Sequence, residues 1–189
     1  MPDADSHGTL MKETVSTLSP RHALAGIEAG VLGVIYMLAC AALGSIVDGR
    51  SIWLVPNLFA SIVYGADAFQ DRFVWTACTG VAILILVYGL IGAAWGCVWR
   101  ENDKPGLTFF GGVFGLGIYY LLSSLVWKRI SPMLALYAPD RQLELGHILW
   151  GMALAKSPGY AKRIAQRTRM PHPQSPPQPP DPSAGGVII

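Results

Sequence analysis

Four apolar blocks, separated by short polar stretches, set the plan of this chain. The first, 23–47, carries Glu28 as its only charge. As an α-helix it would reach roughly 37 Å, enough to cross a ~30 Å hydrocarbon core with some tilt. Ser19-Pro20 reads as its start, a cap followed by a first-turn proline, and Asp48-Gly49-Arg50 ends it. The second block, 73–99, has no charge over 27 residues. Trp75 lies near one end and Trp95 and Trp99 near the other, as an aromatic belt would place them. A polar turn at 100–106 leads to the third block, 107–127, closed by Lys128-Arg129.

The fourth block is the shortest. Only 14 residues separate Arg141 from Lys156, and Glu144 and His147 lie among them. That is about 21 Å of helix, short of the core. Taken as 140–160, with Lys156 snorkelling, it reaches about 31 Å and crosses. An interfacial helix is the alternative. Two proline-bearing stretches join the blocks. The first, 51–66, is interrupted by Pro56-Asn57 and reads as an interfacial or re-entrant segment; the second is 130–139.

The predicted fold is therefore all-α, an integral membrane bundle of about four transmembrane helices. A polar leader occupies 1–22, the membrane domain 23–160, and a tail 161–189. The tail starts basic, becomes Pro-Gln-rich from Pro171, and is expected to be disordered and partly polyproline II. A ligand for a proline-reading domain is a minor alternative for it. The acidic residues of the leader and the length of the first block argue for a retained helix rather than a cleaved signal peptide.

Composition agrees: 52% of the 189 residues are hydrophobic and 14% charged, against roughly 25% charged in soluble domains. A net charge of +2, with no basic patch interleaved with aromatics, gives no case for nucleic acid. With four spans both termini share a side. That side collects Lys12, Arg21, Arg100, Lys104, Lys156, Lys162, Arg163, Arg167 and Arg169, nine cations against five opposite. The excess predicts cytoplasmic termini.

Two halves show a shared order. Gly30-Val-Leu-Gly33-Val-Ile-Tyr36 is similar to Gly112-Val-Phe-Gly115-Leu-Gly-Ile-Tyr119, Pro56-Asn-Leu58 to Pro132-Met-Leu134, and Tyr64-Gly-Ala-Asp67 to Tyr137-Ala-Pro-Asp140. The expectation is two repeated helical hairpins about an axis along the membrane normal, with chance similarity among common membrane residues as the rival.

Glycines four apart form the clearest motif: Gly26/Gly30, Gly92/Gly96 and Gly111/Gly115. Each pair leaves one helix face without bulk and lets backbones approach, within the bundle or between subunits. The candidate polar membrane residues are Glu28, Glu144 and His147. Glu28 would lie roughly 8 Å inside the first block, a functional candidate or a carboxylate reaching water. Glu144 and His147, three apart, share a helical face. A di-iron site would need a second Glu-x-x-His and more glutamates. Glu28 near the inner face and His147 near the outer cannot share a metal. Haem would need facing histidines at one depth, and His22 and His147 are at opposite ends. Cys40, Cys78 and Cys97 sit in apolar blocks as packing residues. No metal, cofactor or catalytic set is visible, and an enzyme is not expected.

Phe110-Gly-Gly-Val-Phe-Gly115-Leu-Gly-Ile-Tyr-Tyr120, Pro132, Glu144-Leu-Gly-His147-Ile-Leu-Trp150 and the basic Lys162-Arg163 together resemble the YagU-like group of small multi-pass bacterial inner-membrane proteins. The resemblance lies in the second half of the chain. Pro56-Asn57 and Tyr64-Gly-Ala-Asp67 have no counterpart in it. It implies an inner-membrane location, a role loosely tied to acid tolerance, and Glu144, His147 and Trp150 as the shared residues. The sequence thus predicts a non-catalytic protein of the inner membrane that acts by self-association, as a homo-oligomer, or as a subunit of a membrane assembly. A small proton-linked transporter using Glu28, Glu144 and His147 is the alternative.

Overall fold

A computed structural model describes residues 20–99 and 106–169. All regular structure in it is helical. Helix α1 is Pro20–Val47, α2 Leu54–Tyr64, α3 Thr76–Val98 and α4 Leu107–Ile130. Helix α5 is Pro132–Tyr137, α6 Asp140–Leu154 and α7 Ser157–Arg169. Among the described residues, α1, α3 and α4 are long and apolar enough to cross a membrane. Their outward faces carry Leu43, Val47, Leu86, Val98 and Phe109, each more than 60% exposed. Such faces suit hydrocarbon and not water.

The stretch expected to form a fourth span, 140–160, falls on two helices. Helix α6 has 15 residues, about 22 Å. The chain breaks at 155–156 because Pro158 has no N–H to give the Leu154 carbonyl and restricts the residue before it. Lys156 lies over the Tyr36 ring, 5.8 Å from its centroid. Helix α7 then continues along α1. It carries residues 161–169, which the sequence had assigned to the irregular tail, while 1–19 and 170–189 lie outside the described residues. An amphipathic register explains the difference: Ser157, Pro158 and Ala161 are buried, and Lys162, Arg163 and Arg167 face outward.

Glycine sets the helix pairings. A methyl group added to Gly26 would collide with the Gly92 carbonyl, one on Gly96 with the His22 carbonyl, and one on Gly30 would lie 2.7 Å from the Tyr88 carbonyl oxygen. Helices α1 and α3 are therefore antiparallel and in backbone contact, an approach that gains van der Waals and Cα–H···O contacts. The same holds for α4 and α6, where Gly111 meets Gly151 and Gly115 meets the His147 carbonyl. Helices α1 and α6 pair through Gly33 on Trp150 and Gly146 on Met37. The gap between α3 and α4 is filled by rings instead. Trp95 lies 4.8 Å from Phe114 and 5.8 Å from Phe110.

The two proline-bearing stretches become short helices packed on each other. In α2 Pro56 sits in the first turn, where its missing N–H costs nothing. Residues Leu54 to Ser61 are all buried, so the bundle covers this segment. Asn57, 0% exposed, donates from Nδ2 to the carbonyls of Gln70 (2.5 Å) and Arg72 (3.0 Å), tying down the α2–α3 connection. Helix α5 opens on Ser131, whose Oγ accepts from the Leu134 N–H and lies 3.2 Å from Ser61 Oγ of α2.

Candidate functional site

Helix α4 is not uniform. Residues Leu122–Trp127 form a π-helical stretch, whose i→i+5 bonding puts more than four residues in a turn. Six residues of α4 line one pocket: Tyr119, Tyr120, Ser123, Ser124, Trp127 and Lys128. They recur every four positions. On a pure α-helix of 3.6 residues per turn that row would drift steadily around the axis. The wider turns drift the opposite way, so the combination keeps all six on one face.

The pocket has a volume of about 390 Å³ and lies between α4, α5 and α6, with Phe59 of α2 at one side. Asp140, Glu144 and His147 of α6 complete the polar lining. Tyr119 donates to Asp140 Oδ1 and Tyr120 to Glu144 Oε1, each at 2.9 Å. A carboxylate offers about four acceptor positions, so both keep capacity for another donor. Lys128 is exposed at the rim.

His147 forms the floor. Its Nδ1 lies 2.6 Å from the carbonyl of Leu143, one turn back, and its Nε2 2.6 Å from Tyr88 Oη. A carbonyl only accepts, so Nδ1 carries a proton; in the neutral ring Nε2 accepts from the Tyr88 hydroxyl. The ring is also wedged edge-on between Tyr88 and Tyr119, at 5.3 and 5.1 Å. Beyond it Tyr88 meets Trp150, whose Nε1 donates to the Gly30 carbonyl at 3.2 Å. A continuous aromatic and polar chain thus runs from the pocket floor to α1.

No family model matches this chain, and neither a curated protein nor a solved structure matches it.

The sequence candidates fall into two places. Glu144 and His147 meet at the pocket, Glu144 on its wall and His147 beneath it. His147 is level with Tyr88, the thirteenth of the 23 residues of α3. It therefore sits level with the middle of α3. Glu28 is exposed on α1, beside the exposed Leu24 and Ile27, and no α1 residue lines the pocket. Glu28 is thus apart from the Glu144–His147 pair. All six glycines lie in the α1–α3 and α4–α6 contacts. Among the described residues no three His, Cys, Asp or Glu side chains are grouped to hold a metal.

Tyr88, Tyr119, Tyr120, Trp127 and Asp140 were not singled out as site residues. Asp140 was visible only as the end of Tyr-x-x-Asp, and Tyr119-Tyr120 only as the end of a glycine-rich helix. The four-residue ladder from Tyr119 to Lys128 was the available signal. It is masked by a helical period that does not match it.

Proposed function

We propose that this is a non-catalytic protein of the inner membrane, crossing it four times with both termini in the cytoplasm, that takes up a small polar solute in the α4–α5–α6 pocket as a carrier. The observation that carries the reading is the pocket itself, with two carboxylates on its wall and a hydrogen-bonded histidine at mid-height beneath it. Polar groups at such depth are expensive in a membrane and mark solute or proton paths. The pairing of α6 with α1 and α4 along its length supports counting α6 and the start of α7 as the fourth crossing. A long helix followed by a short proline-bearing helix in each half, α1 then α2 and α4 then α5, supports the repeat. Glu144, His147 and Trp150, which carry the YagU-like resemblance, all belong to the pocket or the chain beneath it.

Association is the second reading. The glycine faces that motivated it are occupied inside the bundle, but an apolar groove remains on the outside of α4 and α6, lined by Phe109, Gly112, Val113 and Met152 among others. Four helices are few for a carrier, so a working unit of two copies joins the two readings. Proteoliposomes challenged with cationic, anionic, zwitterionic and neutral solutes test the carrier. Flux of one class is expected, and Glu144→Gln or His147→Gln should abolish it without loss of fold. No flux for any class, or flux indifferent to both substitutions, overturns the reading.

A further inference from the structure

The pocket combines two kinds of surface that together select a ligand. Asp140 and Glu144 bring two negative charges and Lys128 one positive, so the lining has a net charge of −1 with His147 neutral. Around them stand aromatic rings. Phe59 and Trp127 meet edge to face, 5.4 Å apart at 84°, and Tyr119 and Tyr120 lie 5.2 Å apart at 69°. Phe59, Tyr119 and Trp127 are nearly buried, held by the bundle, whereas Tyr120 is 53% exposed at the mouth.

Resting on the pocket as a solute site, we propose that its ligand carries a substituted ammonium group, seated among the rings of Phe59, Tyr119 and Trp127 with Asp140 and Glu144 as counter-charges. Ring faces attract a cation through their quadrupole, most strongly when it is poorly hydrated. Alkyl groups on nitrogen lower hydration and fill the apolar part of the wall. An anion would meet two carboxylates in surroundings of low dielectric, where repulsion is poorly screened. A bare metal ion has no cluster of three ligating groups here. A neutral polyol would gain hydrogen bonds but leave the net charge uncompensated, and bonds to a charged donor are roughly twice as strong as neutral ones. The volume of about 390 Å³ lies in the range of small-ligand sites, roughly 300–1,000 Å³.

The test titrates the full chain, in nanodiscs of phosphatidylglycerol, with choline and with its uncharged isostere 3,3-dimethyl-1-butanol, reading tryptophan fluorescence and melting temperature. Choline should bind at least tenfold more tightly than the alcohol. Glu144→Gln and Trp127→Leu should each weaken choline at least tenfold at unchanged fold, and Glu28→Gln, remote from the pocket, should not. The comparison of the two probes needs no variant and stands even if Trp127→Leu fails to fold. Phosphatidylcholine in the disc distinguishes the sources: a lipid headgroup ligand competes with free choline, and a free solute ligand does not. Equal binding of choline and alcohol, or binding of glucose or acetate alone with sensitivity to Glu144→Gln, overturns the ammonium class and leaves the solute pocket standing. No response to any of these probes overturns both.

Discussion

Tyr88 of α3 and His147 of α6 share a buried hydrogen bond, Oη to Nε2 at 2.6 Å. With the ring contacts of Tyr88 on His147 and Trp150, it ties α3 to α6. Tyr88 is 0% and His147 2% exposed, so neither has water to replace its partner.

Tyr88→Phe keeps the ring and removes the hydroxyl. Nε2 of His147 is then left buried without a donor, a loss of about 1–3 kcal/mol. Unfolding of the variant in mild detergent, followed by tryptophan fluorescence, should show it. Adding His147→Leu should cost less than the sum of the two single changes, because the orphaned nitrogen is gone. Strictly additive losses would mean that the two residues do not act as a pair.

Glycine positions should divide sharply. A methyl group on Gly115 would strike the His147 carbonyl, whereas one on Gly117 meets nothing within 4 Å. Gly→Ala in a helix interior gains about 1 kcal/mol in propensity, but forced separation of packed helices costs about 1–3 kcal/mol. Gly115→Ala should therefore lower the melting temperature, and Gly117→Ala should leave it unchanged or raise it. Equal responses would remove the close α4–α6 approach as the cause.

The division between these two glycines shows what the sequence makes legible. Spacing of four marked Gly111 and Gly115, and Gly117 lies off that row. The long apolar helices were equally plain, since length and missing charge are local properties. The pocket was not, because it depends on the π-helical turns of Leu122–Trp127 and on Phe59, Tyr119 and Glu144 arriving from three different helices. The break at 155–156 is harder to see: length and hydropathy join 140–160 into one span, although the missing N–H of Pro158 argues for two helices. Glu28 shows the converse, a local signal of depth that carries no information about which way the side chain faces.

Asn57 should control the connection before α3. Its Nδ2 bonds to Gln70 and Arg72 replace hydrogen bonds those carbonyls would otherwise make to water. Asn57→Ala removes both bonds and leaves the rest of α2 in place. Amides at 69–75 should exchange with deuterium faster than in the parent protein, while the α1–α3 contact at Gly26 and Gly92 keeps its protection. The expected loss is about 1–3 kcal/mol, mostly local. Unchanged exchange at 69–75 would show that the aromatic contact of Trp53 with Phe73, 4.8 Å between centroids, suffices to hold the connection.

The proposed fourth crossing is open to chemical labelling. In a background with Cys40, Cys78 and Cys97 replaced by serine or alanine, single cysteines at Ser51, Asp71, Gly106 and Gly159 report sidedness to a membrane-impermeant maleimide. All four positions but Ser51, which is half-buried, are exposed. Helices α1 and α3 run antiparallel, which puts 51 and 71 at one end and 106 at the other. Helix α6 runs antiparallel to α4, which brings 159 back to the end of 106. With cytoplasmic termini, intact cells should label 51 and 71, and 106 and 159 should react only after permeabilisation. The decisive position is 159. If α6 and α7 lay along the outer surface instead, that cysteine would label in intact cells together with 51 and 71. The backbone contact of Gly111 with Gly151 could not then form inside the bundle. The basic residues of α7 would stand on the side that the charge bias disfavours.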